Sequence, residues 1–448
     1  MTQSAGHSLI ARMEAVPFSR WHVWPRVIMG SATFFDAFTA LSLASAMPVL
    51  REVWGLSPFE IGILLGPASY LGQLLGALIF GTLGERWGRV KAASLATGIM
   101  AVGSLACALS FDFTTLFLCR FIQGIGVGGE MPVAATYINE LSRAHGRGRF
   151  FMLYELIFPL GFLAAGVLGA QLVPVYGWQA LFVLGTGPGF LIAFLLLRLP
   201  ESPRWLIRKE RYAEAEKIVS EIEASTPERS EVAPAPPAAA AKAQATRWSE
   251  LLSAQYLPRT LIVWTIWATA YGVTNGLNNW MATLYTTVYK LPLQTSLNAA
   301  LLTNATQVLV LLPCVLVIDK VGRRAWMTAC FVIGALLLLP LGIFGADDVT
   351  RVMILVTLSY GIMSTVNTVL YLYTPEIYPT RMRAIGTAAA TCWLRIASAA
   401  GPAVIPMLMA AYGIEWVFLI FSGIALLGAV AAWQAIETRN RRLEDIAP

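Results

Sequence analysis

Long apolar stretches recur along almost the whole chain, and they limit its possible folds more than any other feature. A helix needs about 20 mostly apolar residues to cross the hydrocarbon core of a bilayer. Of the 448 residues, 57% are hydrophobic and 13% are charged, which is about half the charged share of a soluble domain. This composition excludes a soluble enzyme, a disordered protein and a nucleic-acid binder. The sequence predicts an all-α membrane protein with twelve transmembrane helices, near residues 25–50, 60–84, 91–110, 114–141, 150–174, 178–198, 259–288, 296–318, 325–345, 350–373, 384–411 and 415–435.

Basic residues are concentrated in alternate gaps between these stretches and in both tails. Arg86, Arg89 and Lys91 follow the second stretch, and Lys320 and Arg323 follow the eighth. Cytoplasmic loops of membrane proteins carry an excess of Lys and Arg. The pattern therefore predicts that both termini and the long central loop are cytoplasmic.

Residues in the two halves of the chain match in one register. Glu201 and Glu437 are 236 positions apart, and the same offset relates Tyr137 to Tyr373, Glu140 to Glu376 and Arg147 to Arg383. We interpret this as a duplicated six-helix unit, and parallel repeats of this kind place a substrate site between the halves near mid-membrane. The predicted domains are an N-terminal bundle at 1–198, a cytoplasmic linker with short amphipathic helices at 199–258 and a C-terminal bundle at 259–448.

Five motifs carry a resemblance to a known family. They are GTLGERWGR after the second span, RFIQGIGVGGE in the fourth, PESPRW after the sixth, DKVGRR after the eighth and PEIYPTR after the tenth. The chain resembles transporters of the major facilitator superfamily, in the branch that contains sugar porters, organic ion transporters and synaptic-vesicle-type transporters. Within that branch it is similar to the bacterial importers of nicotinate and aromatic acids. The resemblance implies two pseudo-symmetric six-helix bundles, which is the major facilitator fold.

Charged residues beside the spans form a candidate gating cluster in each half. Acidic and basic side chains at these positions can form ion-pair networks at the cytoplasmic face. The resemblance implies that the networks hold the outward-open state and break when the cytoplasmic side opens. The alternative is that they are topology anchors and solvated loop charges. The candidate gating residues are Glu85, Arg86, Arg89, Glu140, Arg147 and Glu201 in the first half, and Asp319, Arg323, Glu376 and Arg383 in the second.

Asp36 in the first span and Arg120 in the fourth could lie at the same depth in the membrane. A carboxylate that alternates between a proton and an arginine partner is suited to proton coupling, and the resemblance implies that role for these two positions. The alternative is a fixed structural ion pair. For the other intramembrane acids we expect a structural or gating role at Glu130 and no special role at Glu155.

Arg395 lies near the middle of the eleventh span, which contains no acidic residue. A guanidinium at this depth needs an anionic partner, and a substrate carboxylate could accept two parallel hydrogen bonds from it. The position resembles the site at which organic anion transporters carry Arg. The alternative is internal neutralisation by Asp36 or Glu130.

Polar and aromatic residues predict the rest of the substrate-binding site. Tyr271, Asn275 and Asn278 recur at intervals of three and four residues, so they share one face of the seventh helix. Amides on a spanning helix face a cavity rather than lipid, and aromatic rings suit stacking on a flat substrate. Each such residue is about equally suited to holding helices together. The further candidates are Trp280, Asn304, Gln307, Tyr154, Asn367 and Tyr371.

These features predict a proton-coupled secondary transporter that imports a small aromatic carboxylate, such as nicotinate, by alternating access. It would act as a monomer in a bacterial-type inner membrane, with substrate, protons and lipid as its partners. One alternative is a sugar or polyol transporter, although Ala270 and Tyr271 replace the Gln pair of the sugar porters' seventh helix. Another is a non-transporting sensor on the same scaffold. No enzyme activity, metal or cofactor is expected, because the sequence lacks a Walker loop and a metal-ligand cluster.

Overall fold

The computed structural model describes residues 2–16, 19–141, 154, 156–226, 248–379 and 382–439. The described part of the chain is nearly all helical and contains no strand. The predicted positions Arg147 and Glu155 and the start of the fifth predicted span lie outside the described residues. The helices of the first half and the linker are α1 (Thr2–Ala15), α2 (Arg20–Trp54), α3 (Pro58–Leu65), α4 (Pro67–Trp87), α5 (Arg89–Ala108), α6 (Phe113–Leu141), α7 (Ile157–Tyr176), α8 (Ala180–Leu196), α9 (Pro203–Arg208) and α10 (Tyr212–Ala224).

The second half begins with a short 3-10 turn at Trp248–Leu252. Six long helices follow it, and they correspond in order to α2, α3 with α4, α5, α6, α7 and α8 of the first half. They are α11 (Leu257–Thr287), α12 (Leu293–Val321), α13 (Arg323–Ile343), α14 (Val349–Glu376), α15 (Arg383–Tyr412) and α16 (Ile414–Gln434).

Twelve membrane-crossing helices account for the apolar stretches of the sequence. Within the described residues, nine helical segments are long and apolar enough to cross a bilayer, with α3 and α4 counted as one segment broken at Gly66. Helix α8 is apolar but shorter. Helices α6 and α11 complete the set of twelve, and they carry the buried polar side chains Arg120, Glu130 and Asn278. Spanning helices that carry such groups face the protein interior rather than lipid.

Helices α4 and α6 approach each other unusually closely. Glycines at Gly72 and Gly76 on α4 face the backbone of α6, and Gly124 and Gly128 on α6 face the backbone of α4. A Cβ atom at any of these positions would overlap a backbone atom of the other helix. Small residues permit such contacts between helices in membranes, where dispersion forces drive packing. This contact fixes Arg120 and Glu130 of α6 inside the first bundle.

Helices α9 and α10 lie at the end of the bundle where α4 ends and α5 begins, and we call this end the linker face and the opposite end the far face. Helix α1 packs there against α9 and α10 through apolar side chains that include Leu9, Met13 and Val219. Arg12 of α1 adds ion pairs to Glu223 and to Glu216 of α10, each at 2.6 Å. Neither α1 nor α9 was predicted from the sequence, because their apolar faces are short and are completed only by this packing.

Candidate functional site

A cavity lies between the two halves. Four helices of the first half line it, with Asp36 and Ala40 from α2, Tyr70 and Gln73 from α4, Val127 and Met131 from α6, and Phe158, Pro159 and Phe162 from α7. Four helices of the second half complete it, with Tyr271 and Asn275 from α11, Gln307 from α12, Tyr360, Asn367, Thr368 and Tyr371 from α14, and Leu394 and Arg395 from α15. Its location between duplicated bundles is the one expected for a parallel repeat.

Arg395 is buried in the wall of this cavity. Its Nη1 donates a hydrogen bond to the Thr391 carbonyl of its own helix at 3.1 Å, and its Nε has no hydrogen-bond partner. It forms no ion pair with an acidic side chain in the described part of the chain. A buried guanidinium in this condition can bind an anion that enters the cavity.

Asp36 faces the same cavity from the opposite half. It is buried, and its Oδ1 has no hydrogen-bond partner. The charge that acts on this carboxyl is the guanidinium of Arg395. The structure therefore brings Asp36 close to Arg395, the internal partner that the sequence left open for this arginine.

Arg120 is buried beside the same turn of α2 but has other partners. Its Nη1 donates to the Thr39 carbonyl at 3.2 Å and to Gln123 Oε1 at 2.6 Å. It forms no ion pair with Asp36, so the two predicted coupling residues are not a bonded pair in this structure, although Arg120 reaches the Thr39 carbonyl one turn from Asp36.

An aromatic wall and several amides surround the two charges. The Tyr271 ring stacks on Trp267 with ring centres 5.5 Å apart, and Tyr371 meets the same Trp267 edge-on at 4.8 Å. Asn367 donates to Thr274 Oγ1 at 3.0 Å and keeps a buried Oδ1 without a partner. The wall thus offers both flat apolar surface and hydrogen-bonding groups to a bound molecule.

Five of the nine uncharged residues predicted for binding line the cavity: Tyr271, Asn275, Gln307, Asn367 and Tyr371. Four described residues of the same prediction lie outside the cavity lining: Tyr154, Asn278, Trp280 and Asn304. Trp280 donates to the Pro402 carbonyl at 2.9 Å, and Asn304 donates to the Ala300 carbonyl at 2.9 Å. Tyr154 is hydrogen-bonded to Thr33, which also donates to Glu130 at 3.0 Å. Trp280 and Tyr154 thus join neighbouring parts of the bundle, a role that periodicity within one helix could not distinguish from binding, whereas Asn304 bonds within its own helix.

Tyr360 was not predicted, yet it lines the cavity and donates to Gln307 Oε1 at 2.9 Å. Its spacing from Asn367 and Tyr371 is seven and eleven residues, which returns to the same helical face. A search along α14 for this spacing would have identified it.

The far side of the cavity is closed by packing between the halves. Gly62 of α3 and Gly66 at the end of α3 lie against the backbone of α15, at Pro402 and Ala399 respectively. Helix α7 meets α12, where Gln294 donates to the Ala170 carbonyl at 2.9 Å. Towards the linker face α6 and α14 barely touch, and Tyr371 contacts Met131 Sδ at 3.6 Å. The cavity is thus separated from the far face by packed helices and from the linker face by a thin barrier.

Tyr70 of α4 connects the two halves at this cavity. Its hydroxyl is hydrogen-bonded to Asn279 of α11 and Ser398 of α15. Asn275, which also lines the cavity, donates to Ser398 at 2.6 Å. A polar group on one half is therefore bonded to both cavity-lining helices of the other half, next to Asp36 and Arg395.

Four of the predicted gating residues of the first half, Glu85, Arg89, Glu140 and Glu201, form one network at the linker face. Arg89 Nη2 bonds Glu85 at 2.7 Å and Glu140 at 3.0 Å, and Arg208 adds a bond to Glu140 at 2.9 Å. Glu201 accepts the backbone N–H of Arg89 at 3.0 Å, at the start of α5. Carboxylates are stabilising at this end of a helix.

Gly88, between α4 and α5, has a φ of 105°, which favours glycine. A Cβ there would also collide with the Glu201 carboxylate. Burial raises the pKa of the Glu201 carboxyl, although the N–H groups of Ser202, Arg89 and Val90 favour its charged form. The turn and the carboxylate therefore fit each other closely.

The second half repeats this network. Arg323 bonds Asp319 at 2.9 Å and Glu376 at 3.3 Å. Glu437 accepts the N–H of Arg323 at 3.1 Å, and Gly322 at the turn has a φ of 97°. The bonds described in each network join parts of the same half, together with Arg208 of α9, so they brace the helix ends of each bundle. Two other predicted gating residues lie outside these networks: Arg383 donates to the Tyr378 carbonyl, and Arg86 is exposed.

Comparisons with known proteins agree with this architecture. The sequence model of the family described as "Sugar (and other) transporter" matches residues 58–448. The chain is 30% identical over 442 residues to the niacin transporter NiaP of Acinetobacter baylyi, covering 98% of this chain and 99% of that protein. It is 27% identical to the arabinose-proton symporter of Bacillus subtilis, covering 96% of each.

Solved structures show the same fold. The chain is similar to the xylose transporter XylE from E. coli in a partially occluded inward open conformation, with a TM-score of 0.73 and 19% sequence identity. The match covers 95% of this chain and 100% of that one.

Proposed function

Because the chain belongs to the sugar (and other) transporter family of the major facilitator superfamily, we propose that it imports a small aromatic carboxylate, such as nicotinate, together with protons. The chain is a multi-pass membrane transporter and not an enzyme. The proposal concerns its substrate, its coupling ion and its orientation in the membrane.

The observation that carries the proposal is the buried guanidinium of Arg395 in the cavity wall. It has no bonded carboxylate among the described residues, and its Nε has no partner. A substrate carboxylate would supply the missing acceptors through charge-assisted hydrogen bonds, which are about twice as strong as neutral ones. The Tyr271 and Tyr371 rings would pack against a flat substrate ring.

The relatives support the same substrate class. The niacin transporter of Acinetobacter baylyi is similar to this chain over nearly its full length, and a putative niacin/nicotinamide transporter of Bacillus subtilis is 28% identical over 427 residues. A sugar is the second candidate, because sugar symporters are also relatives and because Gln73, Gln307 and Asn367 offer amides to hydroxyl groups. A neutral sugar would leave the Arg395 guanidinium without a hydrogen-bonded carboxylate among the described residues.

The asymmetry of the barriers at the two ends of the cavity supports alternating access. The halves pack closely at the far face and only thinly at the linker face, so the structure corresponds to a state that faces the linker side. With the linker face cytoplasmic, as the basic loops indicate, this is an inward-facing state. We propose a monomer in a bacterial-type inner membrane with both termini in the cytoplasm.

Binding measured by isothermal titration calorimetry on the purified protein tests the substrate class. Nicotinate and benzoate are compared with arabinose and xylose, and Arg395→Ala is compared with the wild type. Truncating one partner of a buried charge pair costs about 2–5 kcal/mol, so we expect nicotinate affinity to fall by at least about thirtyfold. Arg395→Lys keeps the charge without the planar fork and should retain part of the affinity.

Arg198→Ala is the matched control, because Arg198 lies at the end of α8 against the Phe194 ring, away from the cavity. It should bind nicotinate as the wild type does. Binding of a sugar with no binding of any carboxylate would overturn the proposal and support the second candidate.

A further inference from the structure

The cavity contains two ionisable groups of opposite charge, one from each half. Asp36 of α2 and Arg395 of α15 both line it, and both are buried. Neither forms a bonded ion pair, and each keeps a polar atom without a hydrogen-bond partner, Oδ1 and Nε respectively. The electrostatic influence of Arg395 nevertheless reaches Asp36. The cavity therefore holds an acid and a base whose opposite charges can compensate each other when Asp36 is ionised.

The other groups that face Asp36 do not take over this role. Tyr70 of α4 and Tyr271 of α11 are uncharged phenols, and Arg120 of α6 donates to Thr39 and Gln123 instead. Glu130 of α6 is hydrogen-bonded to Thr33, one turn along α2 from Asp36. Helices α7 and α8 present no charged side chain to it in the described residues. Arg395 is thus the cation that balances an ionised Asp36.

A carboxylate substrate disturbs this balance. Uncompensated charge within a membrane protein is costly, whereas a paired charge is tolerated. One guanidinium cannot neutralise both an ionised Asp36 and a substrate carboxylate in the same cavity. The net charge returns to its original value if a proton binds to Asp36 when the substrate binds to Arg395.

We propose that Arg395 is a counter-ion shared by Asp36 and the substrate, so that each bound carboxylate brings one proton onto Asp36. This inference rests on the proposed function and names the residue pair that couples the two ions. It assigns the partner of Asp36 to Arg395 of the second half, where the sequence suggested Arg120 of the first.

The shared guanidinium also explains why neither ion would be carried alone. A proton on Asp36 without substrate leaves Arg395 with an uncompensated positive charge. A substrate without the proton leaves an uncompensated negative charge. The empty cavity with its Asp36–Arg395 pair and the cavity with both ions bound carry the same compensated charge. Only these two states can close between the halves at low cost, and symport is the result.

Tyr70 links the two halves beside these two charges. It lines the cavity beside Asp36 and is bonded to Asn279 and Ser398 of the second half. Ser398 lies three positions after Arg395, about one turn along α15, so Tyr70 contacts this helix next to Arg395.

Proton uptake on binding tests the proposal. Nicotinate is titrated into the purified wild-type protein from pH 6 to pH 9, in buffers of different ionisation enthalpy, so that the protons bound per nicotinate can be counted. We expect the count to approach one wherever the empty protein holds Asp36 ionised. In that range the Kd for nicotinate should rise about tenfold per pH unit, the slope for one linked proton.

Asp36→Asn removes the competing carboxylate. We expect it to bind nicotinate with no proton uptake and with a Kd independent of pH, and to bind more tightly than the wild type at pH 9. Glu130→Gln is the matched control, because it removes the other buried carboxylate of the first half while leaving both cavity charges in place. It should keep the wild-type proton count.

Arg120→Gln separates the two candidate partners of Asp36. The coupled proton remains if Arg395 is the counter-ion, and it disappears if Arg120 is, because Asp36 would then already be protonated in the empty protein. A wild-type count of zero across the pH range, or proton uptake that persists in Asp36→Asn, would also overturn the proposal. The wild-type count decides even if a variant fails to fold. Absence of carboxylate binding at every pH would instead refute the proposed function itself.

Discussion

The two charge networks at the linker face match residue for residue, whereas the two walls of the cavity do not. Arg89 corresponds to Arg323, Glu140 to Glu376, and the carboxylates of Glu201 and Glu437 bind the first N–H groups of equivalent helices. The turns between the joined helices use glycine with positive φ in both halves. A duplicated function, the bracing of helix ends, is carried out by the same residues in both halves.

The cavity wall has diverged at equivalent positions. Gln73 and Gln307 correspond in the register that pairs Glu85 with Asp319, and both line the cavity. In the register of Glu201 and Glu437, however, Met131 corresponds to Asn367, and Pro159 corresponds to Arg395. Asp36 corresponds to Gly272.

We infer from this difference which positions maintain the scaffold and which would bind the proposed substrate. A symmetric cavity would present the same charges from both sides, and its like charges would repel. The acid on one half and the base on the other provide opposite charges that a proton and an anion can separate. The symmetry of the fold is therefore kept at the membrane surface and abandoned at the binding site.

The largest loss of stability is expected from Arg89→Ala and Arg323→Ala, because each removes the central residue of one network. Removing one partner of a buried ion pair costs about 3–5 kcal/mol. Arg89 should approach that cost, because its side chain is only 4% exposed and bonds both Glu85 and Glu140. Arg323 should cost less, because its side chain is 12% exposed and its bond to Glu376 is longer. Thermal unfolding in detergent measures both, and a larger loss for Arg323 would contradict the ranking.

A smaller effect is expected from the one polar pair that both cavity walls share. Gln307→Leu leaves the buried Tyr360 hydroxyl without its acceptor, which should cost about 1–3 kcal/mol of stability. Gln73→Leu should cost less, because Gln73 makes only a 3.3 Å bond to Ser69 of its own helix. The midpoints of thermal unfolding compare the two variants. Equal losses would mean that the Tyr360 bond contributes nothing specific.

The smallest effect is expected at the carboxylates that begin the equivalent helices. Glu201→Gln should cost about 0.5–2 kcal/mol, the range for a lost helix N-terminal interaction. The pKa of Glu201 is raised by burial, so the folded state binds its proton more tightly than the unfolded state does. Wild-type stability should therefore fall as the pH rises from about 4.3, the ordinary pKa of Glu. Unfolding measured against pH should show this slope in the wild type and a flatter profile in Glu201→Gln, with Glu437→Gln as the matched comparison. An unchanged slope in Glu201→Gln would show that another group is responsible.

Much of the fold could be predicted from local patterns. The predicted spans near 114–141, 259–288 and 384–411 agree with α6, α11 and α15 to within two residues at each end. This was possible because a bilayer imposes one length and one polarity on every crossing helix, so each helix can be recognised without its neighbours. Helices α1 and α9 at the linker face were not individually predicted, because their short apolar faces are completed only by packing against each other and α10.

The residues that line the cavity were harder to predict from the sequence than the helices were. Helical spacing gathered Tyr271, Asn275 and Asn278 on one face of α11, yet only the first two line the cavity. Asn278 is buried elsewhere because the neighbouring helices cover that part of the face. Tyr360 could have been found from its spacing, but nothing in α14 alone distinguishes a cavity from a helix contact.

The sequence by itself determined the membrane environment, the duplicated halves and the presence of an arginine that its own helix cannot neutralise. Only the tertiary structure decided that Asp36 faces Arg395 and that Arg120 turns to a carbonyl and an amide instead. Hydrophobic length and helical period are properties of single segments, so a sequence reports them directly. The partner of a buried charge depends on which helices pack together and at what rotation, and those distances arise only when the two bundles assemble.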